Sequence, residues 1–67
     1  MITIVLNGDA YECAKEQTLA QLISALQLDG KAIAVAVNRQ IVARPEWPTR
    51  LLHAQDKVDV VRAIGGG

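Results

Sequence analysis

The sequence predicts an α+β roll: a mixed sheet of four to five strands with one main helix on one face. Three observations carry this. Several short stretches alternate apolar residues with period two, as half-buried strands do. A single stretch carries an apolar stripe at helical spacing behind a capping box. The order is strand, strand, helix, strand, short strand, irregular loop, strand, and one crossover helix can cover only one face of a sheet. The length of 67 residues allows one domain.

The first strand is read from Ile2, Ile4 and Leu6 alternating with Thr3 and Val5. Asn7-Gly8 follows, a hairpin signal because both residues tolerate positive φ. A weaker second strand spans Asp9 to Cys13, and its faces stay open. Thr18 and Gln21 match a capping box, and Leu19, Leu22, Ile23 and Leu26 recur on one side of a helix running to about Gln27. Asp29-Gly30 is the expected stop, with Gly30 as a left-handed cap. Ile33 to Val37 forms the third strand, apolar on both faces and therefore expected to be central and covered. Asn38-Arg39-Gln40 turns into a short strand at Ile41-Val42. Pro45 and Pro48 exclude regular structure from Arg44 to Pro48, and Trp47 is expected to anchor that loop on the core. Leu51 and Leu52 tuck the chain back, and Gln55-Asp56-Lys57 turns into the last strand, Val58 to Ala63 or Ile64. The helix stripe would then cover Ile2, Ile4, Leu6, Val35, Val58 and Val60. This is a β-grasp, or ubiquitin-like, arrangement. The expected organisation is a single domain over 1–64 and a flexible glycine tail over 65–67.

Composition excludes several functions. A domain this small buries only about 60% of its unfolded surface. The sequence holds one cysteine, Cys13, and one histidine, His53, so neither an internal disulfide nor a Cys/His zinc cluster can form. Stability must come from an apolar core, for which a 51% hydrophobic content suffices. Seven basic and seven acidic residues are interspersed and sum to zero, against a nucleic-acid footprint. No apolar run reaches membrane-spanning length, and the N-terminal residues lack a signal-peptide pattern. The expectation is a soluble cytoplasmic protein, monomeric on its own, that binds neither nucleic acid nor membrane.

Catalytic constellations are thin. Cys13 reads as a small inert residue beside a strand and His53 as a surface residue. Asp56 and Asp59 do not define a catalytic pair, and no ligand pocket is expected. The terminal Gly65-Gly66-Gly67 is not a phosphate cradle, because no helix follows it. It is instead a side-chain-free arm able to enter a narrow channel. From Arg62 to Gly67 it reaches roughly 17 Å when extended. The Gly67 α-carboxylate titrates near roughly 3.5 and is ionised at neutral pH. It can attack the α-phosphorus of ATP in another enzyme's site, and a sulfur nucleophile can then displace AMP from the acyl-adenylate. Gly65 and Gly66 would thread the arm. Strand alternation puts Val5, Val61 and Ala63 on the outer face beside it, a candidate docking patch. Arg62 reads either as positioning the arm or meeting a partner's carboxylates, or equally as an ordinary solvated strand charge.

Over essentially all 67 residues the chain resembles the ThiS family, the sulfur-carrier proteins of thiamine biosynthesis. The resemblance rests on Asn7-Gly8, Thr18-Leu19 with Leu22-Ile23, Val35-Ala36-Val37-Asn38, and Ile41-Val42 followed by Arg44 and Trp47. Asp56, the last strand and the glycine terminus complete it. It implies a β-grasp fold, adenylation of Gly67 and its conversion to a thiocarboxylate, with Gly66 as the family's penultimate glycine. It also implies the partners: a ThiF-like adenylyltransferase using ATP and Mg, a persulfide sulfur donor, and thiazole synthase as acceptor. No cofactor is expected on this chain, and it is a co-substrate, not an enzyme. Gln55 and Arg39 stand where the family often has glycine. The alternatives are a small-subunit carrier like that of molybdopterin synthase, a ubiquitin-like interaction module that is never activated, and an RNA-binding appendage, which the zero charge disfavours.

Overall fold

The computed structural model describes residues 1–62. Two hairpins and one crossover helix build it. Strands β1 (Ile2–Leu6) and β2 (Asp9–Cys13) pair antiparallel, and α1 spans Leu19–Ala25. Strands β3 (Ile33–Val37) and β4 (Gln40–Ile41) form the second hairpin. A 3₁₀ helix, Arg44–Thr49, precedes β5 (Lys57–Arg62). The five strands lie in the order β2-β1-β5-β3-β4, with β5 parallel to β1 and antiparallel to β3. This is the β-grasp arrangement, with a mixed sheet and one main helix.

Both hairpins turn over two residues with left-handed backbone, Asn7 (φ 49°) with Gly8 (φ 87°), and Asn38 (φ 52°) with Arg39 (φ 69°). Such turns match the right-handed twist of the strands they join. The two-residue turn pairs Val37 with Gln40, so β4 is Gln40–Ile41, one residue earlier than expected. The capping box forms as read: the Gln21 amide donates to Thr18 Oγ1 (3.1 Å), and the Thr18 amide donates to Gln21 Oε1 (2.9 Å). Leu19, Leu22 and Ile23 are buried against Ile4, Val35, Val37 and Val58. On β2 the buried Cys13 and half-buried Tyr11 face this core, while Ala10 and Glu12 face out.

Three expectations are corrected. The central strand is β5, not β3, whose outer face carries only Ala34 and Ala36. Alanine offers too little apolar area to demand a covering layer. The helix ends earlier than expected, at a C-cap on Leu26, and the left-handed residue after it is Gln27 (φ 61°), not Gly30. The Leu28 amide donates to the Ile23 carbonyl (3.0 Å) and the Gln27 amide to the Ser24 carbonyl (2.9 Å), which is a Schellman motif. Half-buried Leu28 packs onto the core and draws the chain into this turn. Gly30 (φ 80°) serves the next turn, closed by the Lys31 amide on the Leu28 carbonyl. Gln27→Gly should therefore raise stability by about 0.5–1 kcal/mol, because glycine takes left-handed backbone without a Cβ penalty. Chemical denaturation at unchanged m-value checks this.

The third correction concerns the prolines. Arg44–Thr49 is helical after all, in 3₁₀ form. Pro45 lies in the first turn, where an amide has no partner to lose. Pro48 forfeits one bond, which so short an element tolerates. The helix seats Trp47, which is buried, with Nε1 donating to the Val42 carbonyl (2.9 Å) and the Arg44 guanidinium 4.6 Å above the ring. Trp47 is thus the expected core anchor. Of the leucine pair only Leu52 is buried; Leu51 remains 42% exposed.

Candidate functional site

The sequence directs attention to the far end of β5, from which the glycine arm continues. Ala63, Gly65, Gly66 and Gly67 lie outside the described residues, so the site is built from the scaffold that holds β5 up to Arg62. On one flank β5 pairs with β3 along its length, from Val37↔Val58 to Ile33↔Arg62. On the other flank the ladder with β1 covers only Val5↔Lys57 and Leu6↔Val58, because the chain reverses at Asn7-Gly8. Val58 is fully buried, so β5 is anchored in the core just where both ladders overlap.

Side chains extend that grip in a way the strand patterns did not reveal. The Asn7 amide donates to the Val58 carbonyl (2.9 Å), and Asn7 Oδ1 accepts from the Val60 amide (2.8 Å). At the start of β5 the Asn38 amide donates to the Lys57 carbonyl (2.7 Å), and Asn38 Oδ1 accepts from the Lys57 amide (3.0 Å). Asn38 Nδ2 donates to Asp56 Oδ1 (3.1 Å), and Asp56 Oδ2 accepts from the His53 amide (2.8 Å). Arg50 lies 3.9 Å from the same carboxylate. The buried Asp56 is therefore a bracket for the turn into β5, not a member of an acid pair with Asp59.

The outer face of the sheet carries the candidate docking residues. Val5 is half-buried and lies opposite Lys57; Val61 is 62% exposed and lies opposite Ala34. The two share a face but stand four residues apart along β5, about 13 Å. The apolar neighbours of Val61 come from β3 and β4 instead. Ala34 is its cross-strand partner, and Ala36 pairs with Ile41, which is 74% exposed. Ile41, Ala36, Ala34 and Val61 thus form an apolar strip leading toward the end of β5, with Asp59 beside it. Sequence reading missed Ile41 and Ala34 because it lacked the strand order. Arg62 is exposed opposite Ile33 on the helix side of the sheet.

The remaining reactive groups are elsewhere. Cys13 is buried, and its thiol is pushed up from its usual range by desolvation first and by the Asp56 carboxylate second. A thiol so placed is a poor nucleophile. The side chain of His53 is 71% exposed, 3.8 Å from Asp56. A shallow depression of about 280 Å³ lies between Ile2, Lys15, Leu51, Leu52 and His53. Ile2 opens β1, which runs parallel to β5, so the depression is at the opposite end from Arg62. It is also smaller than ordinary small-molecule sites, about 300–1,000 Å³. Among the described residues no group of three metal-ligating side chains occurs, and no helix is long and apolar enough to cross a membrane.

Comparison with known proteins bears on this scaffold. Residues 4–67 match the ThiS family. The chain is 33% identical over 64 residues to the sulfur carrier protein ThiS of Escherichia coli (strain K12), covering 96% of this chain and 97% of that protein. It is 30% identical over 64 residues to a stretch of a thiazole synthase of Paramagnetospirillum magneticum, 96% of this chain but 20% of that one. A crystal structure of a thiamine biosynthesis protein (ThiS) from Geobacter metallireducens superposes with a TM-score of 0.85 at 22% identity, covering 98% of this chain and all of that one. The last shows the shared fold.

Proposed function

The chain belongs to the ThiS family, and on that premise we propose that it carries sulfur for thiamine biosynthesis as a thiocarboxylate on Gly67. It is a carrier and not a catalyst. The observation that carries the reading is the match over residues 4–67, glycine terminus included, on a scaffold whose central strand is the last described element and ends at Arg62.

The chemistry follows from the carboxylate. One Gly67 oxygen attacks the α-phosphorus of ATP, and pyrophosphate leaves. A sulfur nucleophile then attacks the acyl carbon, a C–S bond forms, and AMP departs with the carboxylate oxygen. Where the sulfur arrives as a persulfide, a thiol must reduce the S–S bond to free the thiocarboxylate. The adenylyltransferase, of ThiF type, supplies the ATP site, Mg and charge neutralisation. This chain supplies the arm, with Gly65 and Gly66 able to pass a channel closed to larger residues, and a docking surface. No step uses Cys13 or His53. The acceptor is thiazole synthase, a reading supported by a thiazole synthase one-fifth of which resembles this chain. The setting is the cytoplasm.

The outer-face strip Ile41, Ala36, Ala34 and Val61 is the proposed docking surface, and Arg62, on the opposite face of the sheet, is not part of it. A charge placed there should weaken docking without unfolding the domain. Ile41→Asp combined with Val61→Asp should raise the KM for the carrier in the activation reaction about tenfold or more, the loss expected of central interface residues. The melting temperature should stay within a few degrees, since both side chains are largely exposed.

Adenylation is tested by pyrophosphate exchange. With a purified ThiF-type adenylyltransferase, ATP and Mg, the chain should drive incorporation of labelled pyrophosphate into ATP in proportion to its concentration. Exchange no faster than without the chain would refute activation.

A further inference from the structure

We propose that the Asn7 side chain is a positioning residue for the C-terminal arm, holding the end of β5 on course where the β1 ladder has already stopped. The proposal rests on the carrier reading above. Its basis is a gap in the sheet. In a parallel ladder the Val60 amide would pair with a main-chain carbonyl of β1, but Asn7 has left-handed backbone (φ 49°) and the chain is already turning back. Asn7 Oδ1 takes the place of that carbonyl at 2.8 Å, bridging residues 53 apart in sequence. The β1 flank of β5 is thereby held as far as Val60, two residues beyond the last main-chain pair, Leu6↔Val58.

Two demands meet at this position. The turn needs a residue that tolerates positive φ, and β5 needs an acceptor on a short stem. Glycine meets only the first. Asparagine and aspartate meet both. The second hairpin turn shows the same device at the other end of the strand, where Asn38 (φ 52°) holds Lys57. The two asparagines therefore clamp β5 at Lys57 and at Val60, and of the two bonds the one from Asn7 is nearer in sequence to the arm. An arm whose root is fixed in direction loses less freedom when it enters an enzyme's channel, so the clamp should show in binding more than in turnover.

The test compares Asn7→Gly, which keeps the turn and deletes the acceptor, with Asn7→Asp, which keeps both, and Asn38→Gly, which cuts the clamp at the far end. Hydrogen exchange of the Val60 amide and pyrophosphate exchange with a ThiF-type adenylyltransferase are measured on the full chain. N7G should lose protection at Val60 about tenfold relative to Val58. It should raise the KM for the carrier about three- to tenfold at nearly unchanged kcat, the range one lost hydrogen bond allows. N7D should restore both readouts. N38G should lower the melting temperature at least as much as N7G and leave KM unchanged. The proposal is overturned if N7G keeps Val60 protection, if its KM equals that of the wild type, or if N38G raises KM equally. Should the wild-type chain itself drive no pyrophosphate exchange, the carrier reading is what fails, and this proposal falls with it.

Discussion

Deletion of Gly66 and Gly67 should abolish sulfur loading and leave the domain folded. The loss should be complete, not graded, because the new terminal carboxylate would stop about 7 Å short of its former position at full extension. Chemistry that depends on in-line attack tolerates misplacement of about 1 Å at a cost of roughly a hundredfold, so a displacement several times larger leaves nothing to measure. Addition of one alanine after Gly67 should be equally damaging. It moves the carboxylate onward and puts a Cβ where the channel expects none. The fold should be indifferent to both changes. The core residues Ile4, Leu19, Leu22, Val35 and Val58 and the ladders that join the five described strands lie within residues 1–62. Circular dichroism and melting temperature check the fold, and intact mass after incubation with activating enzyme, ATP and sulfur donor checks loading. A truncated chain that melts many degrees lower would mean that the glycines serve the structure.

Trp47→Ala should have the largest effect on stability. The substitution empties a buried site under the 3₁₀ helix, removes the bond from Nε1 to the Val42 carbonyl, and strips Arg44 of the ring it covers. Large-to-small changes of a buried aromatic cost about 3–5 kcal/mol. A domain of this length has a total stability of only roughly 3–10 kcal/mol. The variant should therefore lose most of its unfolding free energy, with the melting midpoint falling by at least about 12 °C. Trp47→Phe should recover much of the packing and leave the Val42 carbonyl without its indole partner. Denaturation followed by far-UV circular dichroism reads both. A drop of less than about 1 kcal/mol in W47A would mean that Trp47 covers the core without holding it.

Local signals in the sequence proved sufficient wherever the determinant is local. Asn7-Gly8 forms the turn that the pair predicts, Thr18 and Gln21 close the capping box, and the period-two stretches become strands with Ile4, Val35 and Val58 inward. What was not legible depends on contacts distant in sequence. Gln27 ends the helix because Leu28 finds the core, and no property of glutamine announces this. The prolines at 45 and 48 fit a 3₁₀ helix that becomes favourable once Trp47 has a site to fill. The apolar strip on the outer face is only half legible in the sequence, since alternation places Val61 there but its neighbours Ala34 and Ile41 follow from a strand order that no local pattern contains. The asparagine clamps are the extreme case. Asn7 and Asn38 look like turn residues and are also strand caps for β5.

The central claim is that the terminal carboxyl group of Gly67 bears the sulfur. Tandem mass spectrometry of the C-terminal peptide tests it most directly, after the full chain has been incubated with a ThiF-type adenylyltransferase, ATP, Mg and a persulfide donor. The account predicts exchange of one oxygen for one sulfur, confined to the fragment that contains Gly67 and absent when ATP is withheld. Sulfur found on Cys13 with Gly67 unchanged would contradict it, as would an unmodified chain in the presence of an enzyme that loads another carrier of the family.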